Sequence, residues 1–524
     1  MDLLKKYFRF FLDLIAYYYG LIFYPDKKGY VPPIDDQLLL LRATEISDKI
    51  KRKLIKAEDV ITAYLKRIEQ TNPLINSVIQ VRNQAIDDAR DIDERLATDG
   101  EDAVDCYGTR LHELPLLGVP FTCKDSVSIK GMGWVSGLVA RKDIVATDDA
   151  AVIRNMRRAG AIPIALTNIP ELLFWWDAHN NVFGRTKNPY DASRIPGGSA
   201  GGDAASLCCC SSLIAVGSDL GGSIRIPAYH CGVFGHKATS KVIPIEGKNP
   251  PINPEKEIIF SFGPMTRYAS DLKPMLKAMA GPDIRKLAKI DLRPDLSKLK
   301  VYFMEGDNDP LKTSLHPEML QALRIVVTHL KEKFGINCIK YDFEEFKYTL
   351  PMLKASIQET RSVPMSVEMT DRKGDLNPFI ELAKFISGLS EHTLGAIAVA
   401  INERIVPSPS SPLQQANLRL REELKEKFRN LLGDKGVFLY PSFPEPPCKH
   451  GTTLLKVANV TYQSIFNVLD VPATQCPVGL TSDGLPLGVQ VVSNPQNDHY
   501  CLAIAEEIER AFGGWIPPFP IEKY

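Results

Sequence analysis

The chain has 524 residues, of which 44% are hydrophobic and 24% charged, a composition typical of a folded globular protein. Its 63 basic and 63 acidic residues give a formal net charge of +0, so no overall positive field favours binding to nucleic acid. The ten cysteines include no C-x-x-C pair of the kind that binds zinc. We expect reduced thiols and a protein that faces the cell interior.

The amino-terminal segment is strongly apolar and aromatic. Residues 7–24 read YFRFFLDLIAYYYGLIFY, close to the shortest length that spans a bilayer, and Arg9 and Asp13 can pair on one helix face. No small-residue cleavage site follows, which argues against a removed signal peptide. We predict that residues 1–30 form a membrane anchor or a helix lying in the membrane plane, the alternative being a helix packed on the protein body. Lysines flank both ends of the segment equally and give no orientation.

The next part of the chain is predicted to be helical and then to enter a buried strand. Apolar residues recur at helical spacing over residues 36–70, after Pro32 and Pro33, and a charge-rich helix is expected over residues 82–101. The apolar run LPLLGVPFTCK then predicts a buried strand that ends at Lys124. A lysine there is either half of a structural ion pair or, because desolvation disfavours the ammonium form, a neutral amine that acts as a general base.

A serine follows in a glycine-rich loop. Residues 148–171 predict a helix and a buried strand, and residues 188–205 predict a loop that becomes a helix. Ser199 would lie near the N-terminus of that helix, where free N–H groups favour negative charge. Residues 197–201 also match the G-x-S-x-G nucleophile elbow. That motif needs a buried strand directly before the serine, whereas prolines and charged residues stand there, so we disfavour it.

A second serine closes a tight turn. The apolar run Leu213 to Val216 is followed by Ser-Asp-Leu-Gly-Gly-Ser, which ends at Ser223. Two adjacent glycines allow the backbone to tighten, so that consecutive N–H groups converge on one point. A nucleophile beside convergent donors is what acyl transfer requires, because the tetrahedral intermediate carries negative charge on one oxygen. Taken alone, the turn fits a capping serine equally well.

Together, the three stretches resemble the amidase signature family. The lysine after G-V-P, the G-G-S-[SA]-G-G loop and the D-x-G-G-S-I-R turn of that family correspond here to Lys124, residues 197–202 and residues 219–225. The separations, 75 residues from the lysine to the first serine and 24 to the second, are also similar to those of the family. The resemblance covers roughly residues 35–515 and identifies residues 31–524 as an amidase catalytic domain.

The resemblance implies an α/β fold with a single large mixed twisted β-sheet flanked by helices, and it implies no metal or cofactor. By it, Ser223 is the nucleophile that forms an acyl-enzyme, Ser199 is a bridge that follows a cis peptide bond, and Lys124 is the neutral general base. The oxyanion hole would consist of the N–H groups of Leu220, Gly221, Gly222 and Ser223. Many relatives have a second serine where this chain has Ala200, and we expect weaker support for the loop rather than loss of activity.

Within the family the chain is most similar to the fatty-acid amide hydrolases of animals. It shares with them a hydrophobic amino-terminal segment and the sequences GSDLGGSIR, GVFGHK and GVFLYPS. This implies a hydrolase of long-chain lipid amides at an intracellular membrane, such as the endoplasmic reticulum or a lipid droplet, and leaves room for a homodimer. Leu173 and Phe174 stand where the family lines its acyl channel, although they also fit an ordinary core. Residues 376–405 predict two apolar helices, either a core hairpin or a membrane-facing cap.

Two other functions remain open from the sequence. The catalytic amidase component of tRNA-dependent amidotransferases shares the signature, but it acts on glutamine-like amides together with partner proteins and has no use for an apolar amino-terminal helix. A non-catalytic, membrane-tethered scaffold of the same fold would gain support only if Ser223 were unreactive. Because all three catalytic positions of the family are occupied, the sequence favours an enzyme.

Overall fold

The computed structural model describes residues 2–252, 259–360 and 363–521. Within them, one mixed sheet of 11 strands runs through the protein, and two further short strands form a separate hairpin. The strands are β1 (Val78–Val81), β2 (Pro120–Lys124), β3 (Ile162–Thr167), β4 (His179–Asn180), β5 (Gly184–Arg185), β6 (Ile214–Asp219), β7 (Phe234–Lys237), β8 (Ser261–Thr266), β9 (Lys300–Phe303), β10 (Cys338–Lys340), β11 (Gly436–Pro441), β12 (Ala473–Leu480) and β13 (Pro486–Ser493). The order in the large sheet is β1-β3-β2-β6-β8-β7-β12-β13-β11-β9-β10, and β4 pairs with β5.

Helices flank this sheet, as the resemblance predicts. They are α1 (Asp2–Phe23), α2 (Ala43–Lys51), α3 (Ala57–Ile75), α4 (Ala85–Asp99), α5 (Ala151–Arg158), α6 (Gly201–Cys208), α7 (Arg225–His230), α8 (Ala269–Ala280), α9 (Pro317–Phe334), α10 (Thr349–Thr360), α11 (Met365–Glu368), α12 (Pro378–Ile386), α13 (Leu394–Ile405), α14 (Pro412–Leu432), α15 (Thr461–Val468) and α16 (Asp498–Phe512). The predicted helical region 36–70 is divided into a short 3₁₀ turn, α2 and α3. The predicted pair of apolar helices over 376–405 is α12 and α13.

The parallel part of the sheet positions the candidate site. β2 lies between β3 and β6 and is parallel to both, with Phe121 opposite Ile214 and Cys123 opposite Val216. Every residue of these three strands is buried, as expected for parallel strands covered on both faces. Because parallel strands end at the same edge of a sheet, Lys124 at the end of β2 and the turn after β6 lie side by side.

The amino-terminal helix α1 lies on the protein body. Its Arg9 donates to the carbonyl oxygen of Leu455 at 2.6 Å and pairs with Asp13, while Ala16 is 3% exposed. No helix in the described part of the chain is both long enough and apolar enough to cross a membrane. The Arg9–Asp13 ion pair and the hydrogen bond from Arg9 to Leu455 hold the inner face of α1 against the body. A helix in the membrane plane and a helix packed on the body both remain compatible with its position.

Candidate active site

Lys124 is buried completely at the end of β2. Its Nζ donates to Ser199 Oγ at 2.8 Å, to Ser218 Oγ at 2.9 Å and to the Ser218 carbonyl oxygen at 3.4 Å. Burial disfavours the ammonium form and lowers the pKa of Lys124 to about 8, although Asp203 and Asp219 act in the opposite direction. This lysine makes no ion pair with a described residue, so the structural ion-pair interpretation does not hold. A lysine that is partly neutral near physiological pH can accept a proton.

Ser199 lies in the glycine-rich loop immediately before α6. The Gly198–Ser199 peptide bond is cis, as the family resemblance implies. The first turn of α6 is packed so closely that a Cβ atom on Gly202 would lie 2.5 Å from the backbone nitrogen of Asn168. No strand precedes Ser199 between residues 186 and 198, which removes the nucleophile-elbow alternative. The hydrogen-bond partner of the Ser199 hydroxyl is the Lys124 amine, not a histidine.

Ser223 lies at the end of the turn that follows β6. It is half-buried, and together with Ser199 and Ser218 it lines one cavity. Its carbonyl oxygen accepts a hydrogen bond from the Ala200 N–H at 3.1 Å, which ties the two serine loops together. Its hydroxyl forms no hydrogen bond with a residue in the described part of the chain, so it faces the cavity. The structure thus brings Lys124, Ser199 and Ser223 to one place, as the motifs predict.

The turn differs from the prediction at Gly222. Its N–H, which the resemblance places in the oxyanion hole, donates to Asp219 Oδ1 at 2.7 Å. The N–H groups of Leu220, Gly221 and Ser223 have no hydrogen-bond acceptor among the described residues and stay available to an oxyanion. Gly222 instead has a backbone role: its φ is +110°, and a Cβ atom there would lie 2.7 Å from Gln463 Cβ.

A buried ion pair supports the turn from below. Arg225 and Asp219 are both fully buried, with Arg225 Nε donating to Asp219 Oδ2 at 3.0 Å. Burial raises the pKa of Asp219, but the charge of Arg225 and hydrogen bonds from Arg225 and Asn467 outweigh it and bring the pKa to about 2. Asp219 therefore remains ionised and holds two backbone N–H groups, those of Gly222 and Ile224.

Several residues that hold the Asp219–Arg225 ion pair in place were not predicted from the sequence. Arg225 also donates to the Gln463 carbonyl oxygen, to Gln490 and to Asn467, and Asn467 donates to Asp219. These partners lie more than 200 positions away in the chain, so no local signal could assign them to this turn. Ser218 was also missed, although it stands within the motif that contains Ser223.

The two serines open into a large, mainly apolar cavity. Its volume is about 860 Å³, near the upper limit of ordinary ligand pockets. Leu173 and Phe174 line it, as predicted from the resemblance, and so do Trp175 and Trp176. The outer wall is formed by side chains of α10 and α13 and by the segment Thr453–Val460. Within the predicted helix pair at residues 376–405, α13 therefore forms part of the cavity wall.

Comparisons with known proteins agree with this site. The family described as Amidase matches residues 59–502. Human fatty-acid amide hydrolase 2 is 38% identical over 493 residues, covering 93% of this chain and 92% of its own length. Zebrafish (Danio rerio) fatty-acid amide hydrolase 2-A is 38% identical over 509 residues, covering 95% of this chain and 94% of its own length. A glutamyl-tRNA(Gln) amidotransferase chain of Carboxydothermus hydrogenoformans is 28% identical over 501 residues, covering 90% of this chain and 98% of its own length.

Among solved structures, one of fatty acid amide hydrolase has the same fold with a TM-score of 0.71. It is 22% identical, and the match covers 92% of this chain and 86% of that one. The family match extends over most of the chain and includes all three motifs. The protein therefore belongs to the amidase signature family and is an amide hydrolase closely related to fatty-acid amide hydrolase 2.

Proposed function

We propose that this protein hydrolyses long-chain fatty-acid amides to a free fatty acid and an amine through an acyl-enzyme on Ser223. The observation that carries the proposal is the hydrogen bond between Lys124 and Ser199 at a cavity that Ser199 shares with Ser223. Primary amides and N-acylethanolamines are the simplest members of this substrate class.

In the acylation step, Ser223 Oγ attacks the amide carbonyl carbon. Its proton passes to Ser199 Oγ while the Ser199 proton passes to the neutral Lys124 amine, so that one ammonium and one tetrahedral intermediate form. The N–H groups of Leu220, Gly221 and Ser223 stabilise the new oxyanion, each such donor contributing about 3–4 kcal/mol to the rate in enzymes where this has been measured.

The same relay then runs in reverse. The ammonium of Lys124 returns a proton through Ser199 to the amine nitrogen, the carbon–nitrogen bond breaks, and Ser223 retains the acyl group as an ester. A water molecule next attacks that ester while the relay accepts its proton, and the fatty acid leaves as Ser223 regains its hydrogen. Proton delivery to nitrogen is what an amide substrate needs, since an unprotonated amine is a poor leaving group.

The lining of the cavity supports a lipid as the acyl part. Leucine, isoleucine, valine, phenylalanine and tryptophan side chains supply most of the large apolar groups of the wall, and burial of an apolar chain is favourable by about 0.8 kcal/mol per CH₂ group. The 38% identity to fatty-acid amide hydrolase 2 points to the same class. Glutamine-like amides are the second candidate, since glutamyl-tRNA(Gln) amidotransferase chains are also relatives. A polar substrate of that kind leaves most of this apolar wall without a partner.

We also propose that the enzyme works at a membrane surface. α1 presents a broad apolar face to solvent, formed by Leu3, Leu4, Tyr7, Phe8, Phe10, Phe11, Leu14, Ile15, Tyr17, Tyr18, Leu21, Ile22 and Phe23. Its inner face lies on the segment Thr453–Val460, whose Leu454 and Val457 line the cavity. On α12, Phe379, Ile380 and Ile386 are more than half exposed, and α12 packs on the cavity-lining helix α13. Lipid contact would cover these apolar faces.

The state of the cysteines bears on which side of the membrane the catalytic domain faces. All ten cysteines are free in the structure. Because unpaired cysteines are usual in reducing compartments, we propose that the catalytic domain faces the cell interior.

The experiment that tests the proposed function is the hydrolysis of primary amides of increasing acyl length by the purified protein. We expect kcat/KM to rise with chain length and turnover to vanish in Ser223→Ala. Cleavage of only short or glutamine-like amides would overturn the lipid assignment. Sedimentation with phosphatidylcholine vesicles tests the membrane contact: Phe10→Ser with Phe11→Ser should weaken it, whereas exchange of an equally exposed apolar residue outside α1, Leu292→Ser, should not.

A further inference from the structure

The cavity face of α10 carries two polar side chains among apolar ones. Leu350, Leu353, Lys354, Ile357 and Gln358 all line the cavity, at the spacing that places residues on one side of a helix. The lysine and the glutamine are one turn apart, so their side chains are neighbours. A helix face that only held an acyl chain would have no need of either residue.

Lys354 differs from the other cationic side chains of the cavity. The others have acceptors: Arg372 pairs with Glu368, Arg404 with Asp375, and Lys248 donates to the Pro250 carbonyl oxygen. Lys354, in contrast, is half-buried and has neither a hydrogen bond nor an ion pair with any residue in the described ranges. Burial lowers the pKa of its ammonium group.

Gln358 provides a second unmatched group at the same place. Its Oε1 is buried and has no hydrogen-bond donor in the described part of the chain, whereas its Nε2 donates to the Pro407 carbonyl oxygen at 3.3 Å. Buried polar atoms are nearly always paired in folded proteins, so an acceptor and a neighbouring cation that both lack partners among the described residues indicate a ligand that supplies what both lack. A carboxylate with an adjacent N–H or O–H group has this chemistry.

We propose that Lys354 and Gln358 form a subsite for a carboxylate carried by the substrate. A carboxylate would satisfy the ammonium group in surroundings of low polarity, where a charge-assisted hydrogen bond is strong. A positively charged ligand fits this subsite less well, because the carboxylates that line the cavity already have partners: Glu368 pairs with Arg372, and Glu403 accepts the Met365 N–H. The inference rests on the proposed function and names a substrate class within it: lipid amides that also carry a free carboxylate.

The carboxylate can belong to the amine part or to the acyl part of the substrate, and two matched pairs of substrates distinguish these cases. One matched pair is a long-chain N-acylglycine and the N-acylethanolamine with the same acyl chain. In this pair the amine part carries a carboxylate in the first compound and a neutral hydroxyl in the second. The other pair is the primary monoamide of a long-chain dicarboxylic acid and the primary amide of the corresponding fatty acid. For each pair, the ratio of kcat/KM for the carboxylate over the neutral member is measured.

We expect Lys354→Met to lower that ratio about tenfold or more in one of the two pairs, through KM rather than kcat, as for loss of a charged hydrogen bond. Lys354→Arg should retain most of the ratio, Lys354→Glu should lower it further, and Gln358→Leu should lower it less. Lys298→Met, which removes an exposed lysine charge outside the cavity, is the matched control and should leave the ratio unchanged.

Equal ratios in the wild type and in Lys354→Met for both pairs would overturn the inference while leaving the proposed function intact. If the wild type cleaves neither neutral amide, the proposed function fails instead. Calorimetric binding of the N-acylglycine and the dicarboxylic monoamide to Ser223→Ala, with and without Lys354→Met, then decides the inference by itself: an unchanged Kd for both ligands contradicts it.

Discussion

The two ends of the cavity are built in different ways. We call the inner end Ser199, Ser223 and the residues that support them; among these, Lys124, Asp219 and Arg225 are fully buried, and each makes two or more hydrogen bonds. At the outer end, α10 and α13 present mainly apolar side chains, and Lys354 has no described partner. The inner end holds the reacting atoms in one geometry, and we expect side-chain changes in the outer wall to leave that geometry unchanged. Substitutions at the inner end should therefore affect kcat and stability, and those at the outer end should affect KM.

The largest expected effect is that of Ser223→Ala at the inner end. Removal of the hydroxyl removes the nucleophile, and we expect kcat to fall by about 10⁴–10⁶-fold, as for nucleophile removal in other serine hydrolases. The thermal unfolding midpoint should stay close to that of the wild type, because the hydroxyl has no described hydrogen-bond partner. Ser464→Ala, a neighbouring buried serine, is the control and should retain activity. Substantial turnover by Ser223→Ala would refute the acyl-enzyme.

The next effect concerns the pH dependence that Lys124 confers. Because its pKa is lowered to about 8, the neutral amine predominates only above that pH. We expect kcat/KM of the wild type to rise as pH increases towards about 8 and then to level off. Lys124→Ala should reduce kcat/KM by about 10²–10⁴-fold, the usual contribution of a general base, and should abolish this rise.

Lys237→Met is the matched control for the pH profile. Lys237 is also fully buried and has a lowered pKa, but it donates to the Val471 carbonyl oxygen away from the cavity. The folded fraction of this variant should show the wild-type pH profile. A pH profile of Lys124→Ala that still rises towards pH 8 would assign the base elsewhere.

The third effect is on stability, at the ion pair beneath the nucleophile turn. Asp219→Asn keeps the shape of the side chain but leaves the Arg225 charge uncompensated, and we expect a loss of about 3–5 kcal/mol in the free energy of unfolding. Denaturant titration measures it, and Asp219→Asn combined with Arg225→Met should lose less than the sum of the single losses. A simple sum would mean that the two charges act independently.

The pH dependence of this ion pair has a definite sign. The folded-state pKa of Asp219, about 2, is below its usual 3.8, so the ion pair stabilises the fold above about pH 4. That contribution is lost as pH falls towards 2. The wild type should therefore lose stability over this interval more steeply than Asp219→Asn, which has no carboxylate to protonate there.

The sequence predicts the inner end well because its reacting residues lie in contiguous motifs. Lys124, Ser199 and Ser223 are recognisable from their neighbours, and the apolar runs that become β2, β3 and β6 show where each motif begins. The hydrogen bond from the Gly222 N–H to Asp219 had a local signal in the sequence. Aspartate side chains often accept hydrogen bonds from backbone N–H groups a few residues further on, and Asp219 does so at Gly222 and Ile224.

The support of the turn, the order of the strands and the cavity wall could not be predicted, because they depend on contacts between distant parts of the chain. Asn467 reaches Asp219 across 248 positions, and the order of the strands places β7 between β8 and β12. Helical periodicity shows that α10 has an apolar face, but not that this face lines a cavity, nor that Lys354 lacks a partner among the described residues. The same holds for α1, whose apolar residues predict a lipid contact while its buried Arg9 shows why it lies on the protein body.

The smallest expected effect tests the link between the two ends. Glu171, in the loop that carries Leu173, accepts hydrogen bonds from the Thr393 N–H at 2.7 Å and hydroxyl at 2.9 Å, where α13 begins, and it pairs with His392 at 2.6 Å. Burial lowers the pKa of His392, but the hydrogen bond and charge of Glu171, with Glu381 and Glu391 nearby, outweigh it and raise the pKa above 6.5. The ion pair thus stabilises the fold fully below pH 6.5, and its contribution is lost as pH rises through the folded-state pKa.

His392→Gln should therefore cost about 1 kcal/mol of unfolding free energy near pH 6 and almost nothing near pH 9. If the link positions the outer wall, the same variant should raise KM for long-chain amides and leave kcat close to the wild-type value. The matched control is His329→Gln, which breaks a histidine–glutamate pair with Glu507 outside the cavity and should affect stability without affecting KM. An equal rise in KM for both variants would show that lost stability, rather than a displaced wall, is the cause, and the two ends of the cavity would then be independent.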